Sequence, residues 1–152
     1  MSEASGGMDD LYREHILDHY QHPRNRGTLD HPDISYEDAN PLCGDRIHVW
    51  VAKDGDTIRD VAFTGDGCAI SKASASLMTQ AVKGHTAAEA ERLFEGFHAL
   101  ITGRPVADGQ ELGKLAVFSG VAEFPVRVKC ASLAWHTLRA ALAGGGDAVT
   151  TE

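Results

Sequence analysis

Cysteine is scarce in this sequence, with three among 152 residues. So small and odd a number excludes a disulfide framework and leaves the thiols for a metal or a reaction. Basic residues are also outnumbered, 14 Lys and Arg against 22 Asp and Glu, and the formal net charge is −8. That balance gives nucleic-acid binding no electrostatic footing. No apolar run approaches the length of a membrane span, and residues 1–8 carry no signal-peptide core. Neither a membrane nor a nucleic acid is expected as a partner, and a cytoplasmic location is expected. Internal repeats and linkers are lacking too. Hydrophobic residues at 43% and charged residues at 24% are ordinary for a globular chain of this length, which suffices for one domain with a core. A single domain is expected over 9–143, between a disordered N-terminal tail, 1–8, and a frayed C-terminal tail, 144–152.

Periodicity supplies the elements. Asp9 and Asp10 open a predicted helix that runs to about Tyr20, acidic residues being suited to the positive end of the helix dipole. Tyr12, Ile16 and Tyr20 share one face of it. His15, His19 and His22 have no acidic or cysteine ligand near in sequence and are not read as a metal face. Pro23 and Gly27 end the helix. A polar connection then runs to Asn40, expected to pack across a sheet, with a short edge strand over Tyr36 to Ala39. Ile47, Val49 and Val51 alternate with His48, Trp50 and Ala52, and Ile58, Val61 and Phe63 lie on a return strand. Between them stands Asp54-Gly55, a pair favoured in tight hairpin turns because glycine accepts positive φ. A hairpin from Arg46 to Thr64 follows.

Beyond it, Cys68 leads into a helix from about Ser71 to Lys83, with Ile70, Ala73, Leu77 and Ala81 as its buried stripe, closed by Gly84. Thr86 and Glu89 form a T-x-x-E capping box for the next helix. Its apolar face carries Leu93, Phe94, Phe97, Leu100 and Ile101, and Gly103 and Pro105 stop it. Leu112 to Phe118 reads as a short helix. The last helix starts near Pro125, a residue suited to a first turn, and Val128, Ala131, Trp135, Leu138 and Leu142 line one face. Cys130 lies off that stripe, in the first two turns.

Two short stretches organise the chain: Asn-Pro-Leu-Cys-Gly-Asp at 40–45 and Gly-Asp-Gly-Cys at 65–68. Each delivers a cysteine from a glycine-containing turn. The hairpin between them brings its outer ends together, so Cys43 and Cys68 are expected to meet there, with Cys130 left to complete a site. Asp45 adds an oxygen. Three sulfurs and one oxygen suit tetrahedral zinc, while iron–sulfur clusters also accept three thiolates with a fourth ligand of another kind. The other reading is three buried cysteines acting as small apolar side chains. The glycine flanks of Cys43 and Cys68, and Asp45 beside them, count against it.

Four motifs then carry a resemblance: "LYREHILDHYQHPRNRG" at 11–27, "NPLCGD" at 40–45, "GDGCAISKASASLM" at 65–78 and "RVKCASLAW" at 127–135. In this order, over nearly the whole chain, they resemble the U-type (IscU/NifU N-terminal) family of iron–sulfur cluster assembly, and specifically its SufU branch. The resemblance implies an α+β domain with a small three-stranded antiparallel sheet and helices packed against it. Lys129 occupies the position before the third cysteine, where the IscU scaffolds carry a histidine, and the stretch between the second and third cysteines is longer than in those scaffolds. Both features are typical of the SufU branch.

The resemblance assigns Cys43, Asp45, Cys68 and Cys130 as ligands of Zn2+. It assigns Cys43 as the thiol that receives sulfur, with Asp45 and Arg127 assisting. Further implications are a zinc-dependent sulfurtransferase, a SufS-type cysteine desulfurase as sulfur donor, and downstream Suf assembly proteins as receivers. The alternative is a scaffold that is not an enzyme, on which a [2Fe-2S] cluster is built from iron and sulfide. Lys129, which has no free lone pair while protonated, favours the first. His48, His85, His98 and His136 are read as surface or packing residues.

Overall fold

The computed structural model describes residues 14–29, 34–40, 44–104, 115–116, 118, 120–121 and 124–142. The start expected for the first helix and the two expected tails, 1–8 and 144–152, lie outside the described residues. Helix α1 covers 14–21. Three strands follow: β1 (Ile34–Asn40), β2 (Asp45–Asp54) and β3 (Thr57–Asp66). Then come α2 (Ala69–Val82), α3 (Ala87–Ile101) and α4 (Pro125–Leu142). The strands form one antiparallel sheet in the order β1-β2-β3. The fold is therefore the expected α+β arrangement.

The hairpin obeys its alternation. Ile47, Val49 and Val51 are fully buried and meet Val61 and Phe63 of β3 on the helix-covered face. Burying each such side chain is worth about 1.5–3 kcal/mol. The turn falls one residue later than expected. Asp54 pairs with Thr57, so Gly55 and Asp56 are its centre, with Gly55 at φ +63°. A register shift between Ala52 and Lys53 lets the ladder close on this two-residue turn.

β1 is longer than the expected segment, pairing in register from Ile34 opposite Val51 to Asn40 opposite Asp45. Its sequence, with Glu37, Asp38 and Asn40, has a weak strand signal, and the ladder with β2 overrides it. The connection before it begins at the free edge of β3, where Phe63 donates its amide to the Asn25 carbonyl at 3.0 Å and the Gly27 amide reaches the Phe63 carbonyl at 2.8 Å, while β1 stands at the opposite edge of the sheet. Its stretch over 30–33, on which the expected path across the sheet depends, lies outside the described residues.

Helix α2 departs most from expectation. Ala73 and Leu77 of the expected stripe are buried, but Ile70 and Ala81 are only half-buried. Instead Ser71, the run from Ala73 to Thr79, and Val82 are buried, so the helix is enclosed on most of its circumference. Small side chains permit this, since α4 packs directly on α2 as well as on β1 and β2. Buried hydroxyls need partners. Ser74 donates to the Ala131 carbonyl at 2.5 Å, and Thr79 to the Ser76 carbonyl at 2.7 Å. Ser76 Oγ meets His19 Nδ1 at 2.7 Å and the Arg24 amide at 2.8 Å, which fastens α1 and the turn after it to α2.

The remaining helices follow the sequence closely. Thr86 and Glu89 make both halves of the capping box. The ring of Phe97 stacks on Trp135 with centroids 5.0 Å apart and meets Phe118 edge-on at 5.6 Å. That aromatic group ties α3 and α4 to the segment between them, where 115–116 form a short helical turn and the rest of the expected Leu112–Phe118 helix lies largely outside the described residues. No helix among the described residues is long and apolar enough to cross a membrane.

Candidate metal centre

The register of the sheet builds one half of the site. Asp45 is the first residue of β2, and its neighbour Arg46 pairs with Asp66, the last residue of β3. Cys68 follows two residues after Asp66 and therefore emerges beside Asp45. Cys68 is the N-cap of α2, in extended backbone (φ −76°, ψ 171°), and its Sγ accepts the Ser71 amide at 3.5 Å. Its own amide donates to Asp45 Oδ1 at 3.0 Å. The chain can come this close only because position 67 is glycine: a Cβ there would stand 2.5 Å from Asp45 Oδ1 and 2.9 Å from its Cγ.

Helix α4 supplies the other half. Cys130 lies in its second turn and is fully buried. Asp45, Cys68 and Cys130 each offer one ligand atom, and the three atoms all lie within 4.8 Å of one another. Both cysteines are free thiols. Among the described residues this group contains no histidine. Cys43 lies outside the described residues; the chain around it enters from Asn40 and leaves at Asp45, which are paired across β1 and β2.

Charge at the site is arranged for a cation. Asp45 is 1% exposed, and its Oδ2 is buried without a hydrogen-bond partner among the described residues. An unpaired buried carboxylate oxygen is costly unless something positive meets it. Arg127, in the first turn of α4, is drawn to the same place. The negative charge of the Cys68 sulfur, and then that of Cys130, holds its guanidinium above its ordinary pKa. Two sulfurs and a carboxylate oxygen form a borderline-soft donor set that zinc accepts, and the unpaired Oδ2 fits such an ion.

The structure thus brings Asp45, Cys68, Cys130 and Arg127 together. The histidines read as surface or packing residues make contacts of that kind: His48 stacks on Trp50 at 4.0 Å, His85 faces Glu89 at 3.4 Å, and His98 and His136 pack around Phe94. His19 is buried against Ser76. Two residues of the site escape the sequence reading. Gly67 is visible as part of a turn, but its role in letting two segments touch needs the partner segment. Ser71 stands among several serines of α2, and composition alone does not separate it from them.

The NifU-like N-terminal domain family matches residues 11–131. The chain is 42% identical over 139 residues to the zinc-dependent sulfurtransferase SufU of Bacillus subtilis, covering 91% of this chain and 94% of that protein. It is 40% identical over 145 residues to the iron–sulfur cluster assembly scaffold protein IscU of Streptococcus pyogenes, covering 95% and 91%. A crystal structure from Fervidobacterium islandicum, provisionally described as an iron–sulfur cluster assembly scaffold protein for the SUF system, superposes with a TM-score of 0.81 at 35% identity, covering 85% of this chain and 94% of that one. Sequence and fold agree over most of the length, and the chain belongs to the family of NifU-like N-terminal domains.

Proposed function

We propose that the chain is a zinc-dependent sulfurtransferase of iron–sulfur cluster assembly. It accepts persulfide sulfur from a SufS-type cysteine desulfurase at Cys43 and passes it to downstream Suf assembly proteins. The observation that carries this reading is the convergence of Asp45, Cys68 and Cys130 within 4.8 Å, with no histidine among them. The relative at 42% identity whose name is that activity supports it. Zinc, when bound by these residues with Cys43, would keep their sulfurs ionised and tie three distant segments together.

The chain's own residues do the rest. The Cys43 sulfur attacks the terminal sulfur of the donor persulfide. A new S–S bond forms on Cys43 as the donor's S–S bond breaks, and the donor cysteine leaves as a thiolate. Arg127 places positive charge beside the sulfurs and favours approach of an anionic persulfide. Asp45, held by the Cys68 amide, keeps its position while Cys43 moves.

Incubation with the desulfurase and cysteine tests the proposal. Alanine release should rise in the presence of the chain, and mass spectrometry should find the added sulfur on Cys43. Sulfur on Cys68 or Cys130 with Cys43 unmodified, or no stimulation, overturns it.

A scaffold reading has its own support in the relatives named IscU. Metal analysis after purification without oxygen separates the two. A colourless protein with zinc supports transfer; a brown one with iron and sulfide supports a [2Fe-2S] scaffold. Lys129 before Cys130 favours the colourless outcome.

A further inference from the structure

Ser71 is wholly enclosed, and among the described residues its hydroxyl has no hydrogen-bond partner. The other described hydroxyls on the buried body of α2, those of Ser74, Ser76 and Thr79, are all bonded. An unpaired buried hydroxyl is destabilising, and alanine at the same place would avoid that cost. Alanine is also the better helix former. In the metal-free chain, therefore, the hydroxyl returns nothing to stability.

Its position says where a return could come from. Ser71 stands in the first turn of α2, and its amide already donates to Cys68 Sγ. One turn further along, Ser74 bonds the carbonyl of Ala131, the residue after Cys130. The 71/74 side of α2 thus faces the segment of α4 that carries Cys130. Ser71 thus stands just after Cys68, on the side of α2 turned towards the segment of α4 that carries Cys130.

We infer that Ser71 is a positioning residue whose hydroxyl donates a hydrogen bond to the Cys68–Cys130 sulfur pair when a metal draws those sulfurs together. This rests on the metal site proposed above. A donor of this kind fixes the orientation of a sulfur ligand and withdraws charge from it, and loss of such partners commonly weakens metal binding by roughly 10–100-fold.

The test uses the full chain as wild type, Ser71→Ala and Ser74→Ala. Zinc affinity is read by competition with a chromophoric chelator. The sulfur-to-metal charge-transfer band is read after loading with Co2+, and thermal melting is read on the metal-free proteins. Ser71→Ala is expected to lose at least roughly 10-fold in zinc affinity and to shift the cobalt band, while its metal-free melting temperature does not fall. Ser74→Ala should do the converse, melting lower with an unmoved band. Ser71→Ala with wild-type affinity and band overturns the inference, as does a Ser71→Ala variant that merely melts lower like Ser74→Ala. A wild-type chain that binds neither metal removes the metal reading itself, and is recognised separately because no variant is needed to see it.

Discussion

The carboxylate of Asp45 accepts the amide of Cys68 at 3.0 Å, across the mouth of the β2–β3 hairpin. The contact joins the first residue of β2 to the N-cap of α2, so one potential ligand sets the backbone of another. It spends one carboxylate oxygen and leaves the second, Oδ2, buried and without a hydrogen-bond partner among the described residues, in a side chain that groups with the sulfurs of Cys68 and Cys130. Rigidity and a carboxylate oxygen suited to a cation thus come from a single side chain.

Metal removal should destabilise the chain as a whole. The ligands come from a strand, a helix cap and a distant helix, so binding energy is also folding energy. Free zinc at a hundredfold excess over Kd stabilises by about 2.7 kcal/mol. At about 2–4 °C per kcal/mol for a chain of this size, chelation is expected to lower Tm by roughly 5–10 °C. An unchanged melting curve after verified zinc loss would show that the metal does not hold the fold.

Gly67→Ala should injure the site selectively. The added Cβ would stand 2.5 Å from Asp45 Oδ1, and a buried carboxylate has little room to retreat. A cost of about 1–3 kcal/mol is expected from the overlap, together with weaker zinc binding. Denaturant unfolding and chelator competition measure the two effects; wild-type values in both would mean that the turn relaxes freely.

Ser76→Ala should loosen α1. The change removes one hydrogen bond each from His19 Nδ1 and the Arg24 amide, and His19 is 2% exposed. Each bond lost costs about 0.5–1.5 kcal/mol. Hydrogen exchange should accelerate over 14–27 before it does in the β2–β3 hairpin. Uniform acceleration across both regions would contradict the local role.

The capping box of α3 has a defined pH signature. The Thr86 amide first, with smaller help from the Thr86 hydroxyl and His85, holds the Glu89 carboxyl below its ordinary value of 4.5. A depressed carboxyl contributes stability above that ordinary value and loses it as pH falls through the lowered one. The stability difference between wild type and Glu89→Gln is therefore full above pH 4.5 and closes towards acid. Thr86→Ala, measured at neutral pH, should cost about 1 kcal/mol. A Glu89→Gln difference that does not change with pH would remove the carboxylate from the cap.

Local pattern carried much of this protein. The alternation of Ile47, Val49 and Val51 specifies a strand with one buried face. The Thr86–Glu89 spacing specifies a helix start, and the stepping from Ala131 to Trp135 to Leu138 specifies the packed face of α4, because each signal repeats within one or two turns of the element it describes. Asp45 and Cys68 were legible as candidate donors in the same way, as an aspartate and a cysteine at the glycine-containing ends of the hairpin.

Other features were decided only by packing between segments far apart in sequence. The full length of β1 depends on the ladder that β2 offers, and its own residues argue weakly for a strand. The enclosure of α2 on most sides could not be seen in its alanines and serines, which are small enough to be buried or exposed at little cost; only the approach of α4 decides. The same holds at the metal centre. Cys68 and Cys130 are separated by two helices in the sequence, and their meeting, the unpaired Oδ2 of Asp45 and the unpaired hydroxyl of Ser71 exist only once β2, α2 and α4 close on one another. Periodicity specifies which face of an element is buried, whereas the identity of the atoms it is buried against belongs to the tertiary structure.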